Sequence, residues 1–367
     1  MISFSKIIYS LYLWVLGGLE MKCLVTGGAG YVGSHVVIGL LDAGHEVAVI
    51  DNLSTGYRAA VPSGVRFFPL DLLDAEAINK ILASEKWDVV LHFAALSLVN
   101  ESMRKPFYYL RQNYITALNL IEACAQNGVR RFVFSSTAAL FGGKERFSLI
   151  PDNARVEASS PYGESKFLIE RALVWADQIY GMRSASLRYF NAAGADPLGR
   201  LGEEHTPETH LIPLAIDTVL GLRGKLKIFG NDYPTRDGTC IRDYIHVTDL
   251  ADAYIRVIEL LDRRSVTYNL GNGLGFTNME VVQAIEHVSG RKLPWEWAPR
   301  RTGDPSMLVA DSALIRRETG WSPHYSSIDI IVETALQWRK RNPHGYRKQA
   351  GIGQEKWSPI FGQEVEL

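Results

Sequence analysis

The chain has 367 residues, enough for two or three structural units. Apolar residues make up 47% and charged residues 22%, a globular balance that excludes a disordered or fibrous chain. With 39 basic and 40 acidic side chains the net charge is −1, so no global field holds nucleic acid or an anionic membrane. Three cysteines, Cys23, Cys124 and Cys240, are too few for a disulfide framework and lack metal-ligand spacing. A reducing, cytoplasmic compartment is expected, and no metal.

Residues 1–20 stand apart. Ile7 to Leu19 is an apolar run of thirteen residues, short of the ~20 that a spanning helix needs. No small-x-small cleavage site follows it. Met21 opens directly onto a strand, so the extension is expected to be dispensable rather than a stable membrane anchor.

From Met21 onward strand and helix patterns alternate. KCLVT (Lys22 to Thr26) precedes a glycine turn and an amphipathic stretch from Tyr31 to Ala43. Strands are expected at Glu46 to Asp51, Arg66 to Asp71, Asp88 to Ala94 and Arg131 to Ser136. Helices are expected at Ala75 to Ser84, at Asn113 to Gln126 and from about Pro161. Short β-rich runs bounded by longer helices argue for βαβ units and a parallel sheet. Another strand ends at Arg188. After about Asn191 loops lengthen and Gly and Pro cluster, as in NAAGADPLGRLGEEHTP. Helices are still expected at Val247 to Leu261, Asn278 to Val288 and Ile328 to Arg339. The division is a first domain over 21–191, a second over 192–346 and a loose tail over 347–367.

Thr26 to Gly33 reads T-G-G-A-G-Y-V-G, with glycines 27, 30 and 33 in G-x-x-G-x-x-G spacing. It lies between the first strand and first helix of a βαβ unit, the context in which such a turn holds a dinucleotide. Gly27 is expected to make the tight turn, Gly30 to let backbone approach a pyrophosphate and Gly33 to let the helix pack close. The helix N-terminus adds free N–H groups and a positive dipole. Asp51 ends the second strand, where an acidic side chain accepts hydrogen bonds from an adenosine ribose and repels a 2′-phosphate. NAD is thereby favoured over NADP. A turn-forming role before Asn52 is the alternative for Asp51, and nearby Arg58 pulls against NAD.

Tyr162 and Lys166 stand four apart in S-P-Y-G-E-S-K, on one face of a helix. Alone, this pattern usually marks a solvated face. Ser135, Ser136 and Thr137 add to it, because they end a strand at the carboxyl edge of the sheet, where doubly wound folds bind ligands. Ionising a free tyrosine at pH 7 costs about 4 kcal/mol. A positive charge ~4 Å away at intermediate dielectric returns about as much. Lys166, helped by an oxidised nicotinamide, is expected to make Tyr162 a base for an alcohol proton, with Thr137 bonding the reacting oxygen.

With these pieces the chain resembles the extended short-chain dehydrogenase/reductase superfamily and, within it, the UDP-glucose 4-epimerase family. The likeness runs from Met21 to about Tyr346, through VTGGAGYVGSH, HFAAL, SPYGES-K, LRYFNAAGA, FGNDYPTRDGTCIRDYIHV and APRRTGD. The stretch from FGNDYPT to DYIHV is the most discriminating. The resemblance implies an α/β fold, a Rossmann-type doubly wound parallel sheet with a smaller, mixed α/β UDP-sugar-binding C-terminal domain interleaved with it. It implies NAD as cofactor and interconversion of UDP-glucose and UDP-galactose through a transient 4-keto-sugar, with slower action on UDP-N-acetylhexosamines.

The resemblance makes Thr137, Tyr162 and Lys166 catalytic. Tyr31, Val32, Asp51, Asn52, Asp71, Leu72, Phe93, Ala94, Ala95, Leu96, Ser97, Asn113 and Phe190 match cofactor contacts. Asn191, Leu211, Lys227, Ile228, Phe229, Arg242, Arg301 and Asp304 match positions that hold the UDP-sugar. Two arginines suit a diphosphate, because guanidinium forks pair with its oxygens. Alternatives are an ion pair of Arg242 with Asp243 or Asp249 and a surface role for Arg301. Leu308, four past Asp304, matches the position lining the sugar's C2 side; core packing beside Val309 is its alternative. The resemblance also implies a homodimer through helices around Asn113 and Ser165.

Departures from the family pattern are Ser97, often a larger residue such as lysine, Phe141, frequently tyrosine, and His210 in place of a common asparagine. Related dehydratases carry acidic residues after the catalytic threonine, to eliminate water. Here Ala138 and Ala139 follow Thr137. Rival readings are a 4-epimerase of UDP-xylose and UDP-arabinose or of UDP-glucuronate, and a non-catalytic NAD-sensing protein. The last would be expected to lack Tyr162 or Lys166.

Overall fold

The computed structural model describes residues 20–142, 149–301 and 304–346. The expectations for residues 1–19 and for the tail over 347–367 lie outside the described residues. In the first half the chain forms β1 (Lys22–Thr26), α1 (Tyr31–Asp42), β2 (Glu46–Ile50), β3 (Arg66–Phe68), α2 (Ala75–Ala83) and β4 (Val89–His92). It continues through α3 (Val99–Arg104), α4 (Pro106–Leu110), α5 (Thr116–Gln126), β5 (Arg131–Ser135), α6 (Pro161–Tyr180), β6 (Arg183–Tyr189) and β7 (Asn191–Ala193). Then come α7 (Leu211–Val219), β8 (Leu226–Phe229), β9 (Ile241–Arg242), β10 (Tyr244–His246), α8 (Val247–Arg256) and β11 (Val266–Leu270). The last elements are β12 (Phe276–Thr277), α9 (Asn278–Ser289), β13 (Trp295–Ala298), β14 (Met307–Leu308), α10 (Ala313–Thr319) and α11 (Ile328–Arg341).

Seven strands form one parallel sheet in the order β11-β6-β5-β4-β1-β2-β3. Its central strands are apolar on both faces because helices cover both. On one face α1 and α8 enclose Val25, Val37, Val49, Leu250 and Tyr254; on the other α2, α5 and α6 enclose Leu24, Ile78, Leu120, Phe132 and Ile169. The chain steps outward from β1 to β3, then crosses back to lay β4 on the other side of β1. That reversal opens a crevice at the carboxyl ends of β1 and β4, where this architecture binds ligands.

The C-terminal half does two jobs. β11 and α8 return to complete the large sheet. The remainder builds a separate core from α7, β8, α9 and α11, with Ile212, Ile216, Val281, Ile285 and Ile331 at its centre. Around it lie the parallel pair β8–β13 and a three-stranded sheet in the order β12-β9-β14. No helix among the described residues is long and apolar enough to cross a membrane.

Three elements differ from the sequence expectation, each for a local reason. The strand expected over Arg66–Asp71 stops at Phe68, because Pro69 has no N–H to give the ladder. The helix expected over Val247–Leu261 tightens to a 3₁₀ turn at Val257–Asp262, which buries Val257, Ile258 and Leu261 under β5 and β6. The helix around Asn113 enters through a π turn, Arg111–Ile115. Such turns insert a residue and re-aim a side chain, often at a functional site.

Candidate active site

The turn after β1 takes the form that the glycine spacing anticipates. Gly27 has φ +73°, and a Cβ there would lie 2.4 Å from the Ala94 backbone nitrogen. At Gly33 a Cβ would lie 2.2 Å from the Gly27 carbonyl oxygen. Both positions therefore require glycine, and their bare backbone draws α1 onto the turn. Gly30 is the N-cap of α1 and offers no side-chain cap. The first N–H groups of the helix have no intrahelical acceptor and stay available to an anion. Asp51, at the end of β2, accepts hydrogen bonds from the amides of Ala29 (3.0 Å) and Leu53 (2.8 Å). Burial pushes its pKa up, while these two amides oppose the shift. This bare cradle beside an acidic strand end fits a dinucleotide.

The segment after β4 is held by Asn113. Its Oδ1 accepts from the Leu96 amide at 2.8 Å, and its Nδ2 donates to the Leu96 carbonyl and to Ser165 Oγ, both at 3.0 Å. The side chain is buried and fully committed, so Asn113 acts on the crevice by fixing backbone. Asn52 donates to Asp71 at 2.9 Å, tying the ends of β2 and β3 together.

Thr137, Tyr162 and Lys166 meet where β5 ends and α6 begins. Ser160 caps α6 by accepting from the Gly163 amide at 3.1 Å, with Pro161 in the first turn. That fixes the first turn and brings Tyr162 to the cavity wall beside Thr137. One turn on, Lys166 Nζ donates to the Ser135 carbonyl at 2.7 Å and sits 4.9 Å from the Phe134 ring centre. All three side chains are buried. Burial lowers the Lys166 pKa to about 7, against an opposing pull from Glu170. Behind it, Glu170 pairs with Arg188 (2.6 Å) and accepts from Ser136 (2.5 Å).

The electrostatics describe the cofactor-free site. Tyr162 is pushed up, not down, from the ordinary tyrosine value. Burial is the largest cause, and the hydrogen bond from Thr137 only partly opposes it. Lys166 is itself desolvated, so its charge is not freely available to ionise the phenol.

On the far side, Arg242 in β9 pairs with Asp304 and donates to the Ile241 carbonyl at 2.7 Å. Asp243 and Asp249, the alternative partners, accept backbone amides instead. The Asp304 carboxylate is thus engaged by Arg242. Arg301 lies over the Phe229 ring, 4.2 Å from its centre. Leu308 packs against Phe141, Ile150 and Ala154 and still reaches the cavity.

One cavity of about 810 Å³ joins these parts. It is lined by every expected cofactor contact and by every expected substrate contact except Ile228. Ile228 alternates with Lys227 and Phe229 along β8, so its side chain turns inward and is 0% exposed in the core.

The cavity also contains a group that the sequence reading passed over, apart from His210. Glu203, His205, Glu208 and His210 bring their polar ends together along one wall. Burial lowers the histidine pKa values, but Glu203 and Glu208 outweigh it and hold His205 at about 9 and His210 at about 10. The E-x-H-x-x-E-x-H spacing was the available signal.

Comparison with known proteins agrees with this geometry. A family described as "NAD dependent epimerase/dehydratase family" matches residues 23–271. The UDP-glucose 4-epimerase of Lacticaseibacillus casei is 45% identical over 328 residues, 89% of this chain and 99% of that one. A crystal structure of a UDP-glucose 4-epimerase superposes with a TM-score of 0.86 at 45% identity, over 89% of this chain and 99% of the other. The Bifidobacterium longum UDP-glucose 4-epimerase, solved with NAD+ and UDP, superposes with a TM-score of 0.83 at 34% identity, over 88% and 99%. With the glycine cradle, the acidic strand end and the Thr–Tyr–Lys meeting point in one crevice, the chain belongs to the NAD dependent epimerase/dehydratase family.

Proposed function

We propose that this chain is an NAD-dependent isomerase that interconverts UDP-glucose and UDP-galactose through a transient 4-keto-sugar. The observation that carries the reading is the meeting of Thr137, Tyr162 and Lys166 in the same cavity as Arg242 and Arg301. Relatives at 43–46% identity are named for this reaction. Residues 21–191 form the cofactor-binding domain, completed by α8 and β11, and the rest of 192–346 holds the UDP-sugar.

Bound NAD supplies a reversible hydride acceptor and, while oxidised, a positive charge. Tyr162 holds the mobile proton: it takes the proton of the C4 hydroxyl as the C4–H bond breaks and returns it after hydride is delivered to the other face. Burial favours the neutral phenol of Tyr162 in the protein alone, and the positive charge of oxidised NAD, when bound, would favour the phenolate. Thr137 shares the Tyr162 hydroxyl and orients the reacting oxygen. Lys166, fixed by the Ser135 carbonyl, steadies the developing phenolate. Arg242 and Arg301 hold the diphosphate. No acid follows Thr137, so the keto-sugar returns without losing water.

The chain acts as a homodimer. Met103, Phe107 and Tyr108 on α3 and α4, and Trp175 and Ile179 on the adjoining α6, form an exposed apolar face; Phe107 is 77% and Ile179 64% exposed. A face of this kind calls for a partner. Three buried, unbridged thiols suit a reducing cytoplasm. The reading is tested by incubating the purified protein separately with UDP-galactose, UDP-xylose and UDP-N-acetylgalactosamine and identifying each product. UDP-galactose is expected to be converted fastest. Conversion of UDP-xylose alone would overturn the sugar assignment.

A further inference from the structure

The proposed reaction leaves the side chains of E-x-H-x-x-E-x-H, residues 203–210, without an assigned role, although the segment lines the same cavity. Their geometry is nonetheless specific. Donor atoms of Glu203, His205, Glu208 and His210 all lie within 4.8 Å of one another. Glu203 Oε1 is 3.3 Å from His205 Nδ1 and 2.8 Å from His210 Nδ1. Glu208 is 3.4 Å from His205 Nδ1 and 3.2 Å from His210 Nδ1. Yet Glu203 Oε1 and His205 Nδ1 are buried with no hydrogen-bond partner in alignment, and the Glu203 side chain is only 6% exposed. The four groups crowd a common point as histidine–carboxylate pairs whose alignment leaves two buried atoms, Glu203 Oε1 and His205 Nδ1, poorly matched.

A tetrahedral ion with bonds of about 2.0–2.1 Å sets its ligand atoms about 3.3–3.4 Å apart. Three of the four separations, 3.2, 3.3 and 3.4 Å, lie near that spacing, the two at Glu208 falling on its different oxygens (Oε2 toward His205, Oε1 toward His210), and the fourth, 2.8 Å, is shorter and is that of a histidine–carboxylate pair. We propose that Glu203, His205, Glu208 and His210 form a binding site for one divalent transition-metal cation of the zinc type. Two imidazoles and two carboxylates suit such an ion, whereas magnesium and calcium prefer oxygen alone. Four protein donors close the coordination sphere, which marks a structural site rather than a catalytic one. Glu208 is steadied for this role, since its Oε1 accepts the amides of Thr209 (2.7 Å) and His210 (2.8 Å). His205 stands edge-on to Tyr31, ring centres 6.2 Å apart, and Tyr31 opens α1. The ion would clasp the 203–210 segment beside the cofactor turn.

The competing account is a cluster joined by protons alone, and the experiment separates the two. Untagged full-length protein is dialysed against EDTA, then against Zn²⁺, then against zinc-free buffer. Metal content is measured by mass spectrometry and the ligand shell by zinc-edge X-ray absorption. About one zinc per chain is expected, in a shell of nitrogen and oxygen at about 2.0–2.1 Å. His205→Asn and His210→Asn should each lose it while keeping the wild-type circular dichroism spectrum. Should either fail to fold, Glu203→Gln gives the same reading. Wild-type protein emerging without zinc, variants retaining as much zinc as wild type, or a sulfur shell near about 2.3 Å would each overturn the site. None of these outcomes depends on the epimerase reading, which activity on UDP-galactose tests separately.

Discussion

Tyr162 and Lys166 are each shifted by burial toward their uncharged forms. Replacing Tyr162 with Phe removes the proton carrier and leaves the packing. Turnover should fall about 10²–10⁴-fold while NAD is retained; near-normal turnover would mean that another group moves the proton. Lys166 gives a pH signature in the cofactor-free protein. Its pKa is about 7 when folded, against an ordinary 10.5. Between those values the unfolded chain binds more protons at this site, so the lysine makes stability rise with pH across that window. Lys166→Met should flatten the rise in urea unfolding measured from pH 7 to 10. An unchanged slope would mean that Lys166 stays charged in the fold. The sequence made these two residues legible through their spacing and the strand end upstream. It could not reveal their ionisation, because burial is set by elements far along the chain.

At the scale of elements, the βα turn was readable because Gly27 and Gly33 answer a backbone need that no other residue meets. Asn113 was readable only as a match to a family position. Its work depends on the π turn at Arg111–Ile115, and no periodicity announces an inserted residue. Asn113→Ala would leave the Leu96 amide and carbonyl without partners, at a cost of about 1–3 kcal/mol. Urea unfolding should register that loss, and NAD affinity should weaken as the 94–97 segment loosens. Unchanged affinity would show that the segment is held by its own packing. Ile228 teaches the complementary lesson. Motif matching assigns a run of residues to a site, but alternation along β8 sends the middle one into the core.

For the whole molecule, the sheet order follows from βαβ units with one reversal, which alternating patterns predict well. Less legible was the return of α8 and β11 from beyond residue 192 to finish the large sheet, because contacts between distant segments leave no local period. The apolar face of α3, α4 and α6 gives a prediction at this scale. Light scattering should find twice the chain mass, and Phe107→Glu should shift the protein toward monomer. A wild-type monomer would remove the dimer from the account. The central claim, inversion at C4 with a cofactor that ends each cycle as it began, is tested most directly by one assay. Purified protein carrying its own NAD is given UDP-galactose, and the sugar is followed by proton NMR while absorbance at the reduced-nicotinamide band is recorded. UDP-glucose should appear until a fixed mixture is reached, and the same mixture should form from UDP-glucose, with no accumulating NADH. Steady growth of NADH with an oxidised sugar product, or an unchanged C4 configuration, would contradict the account.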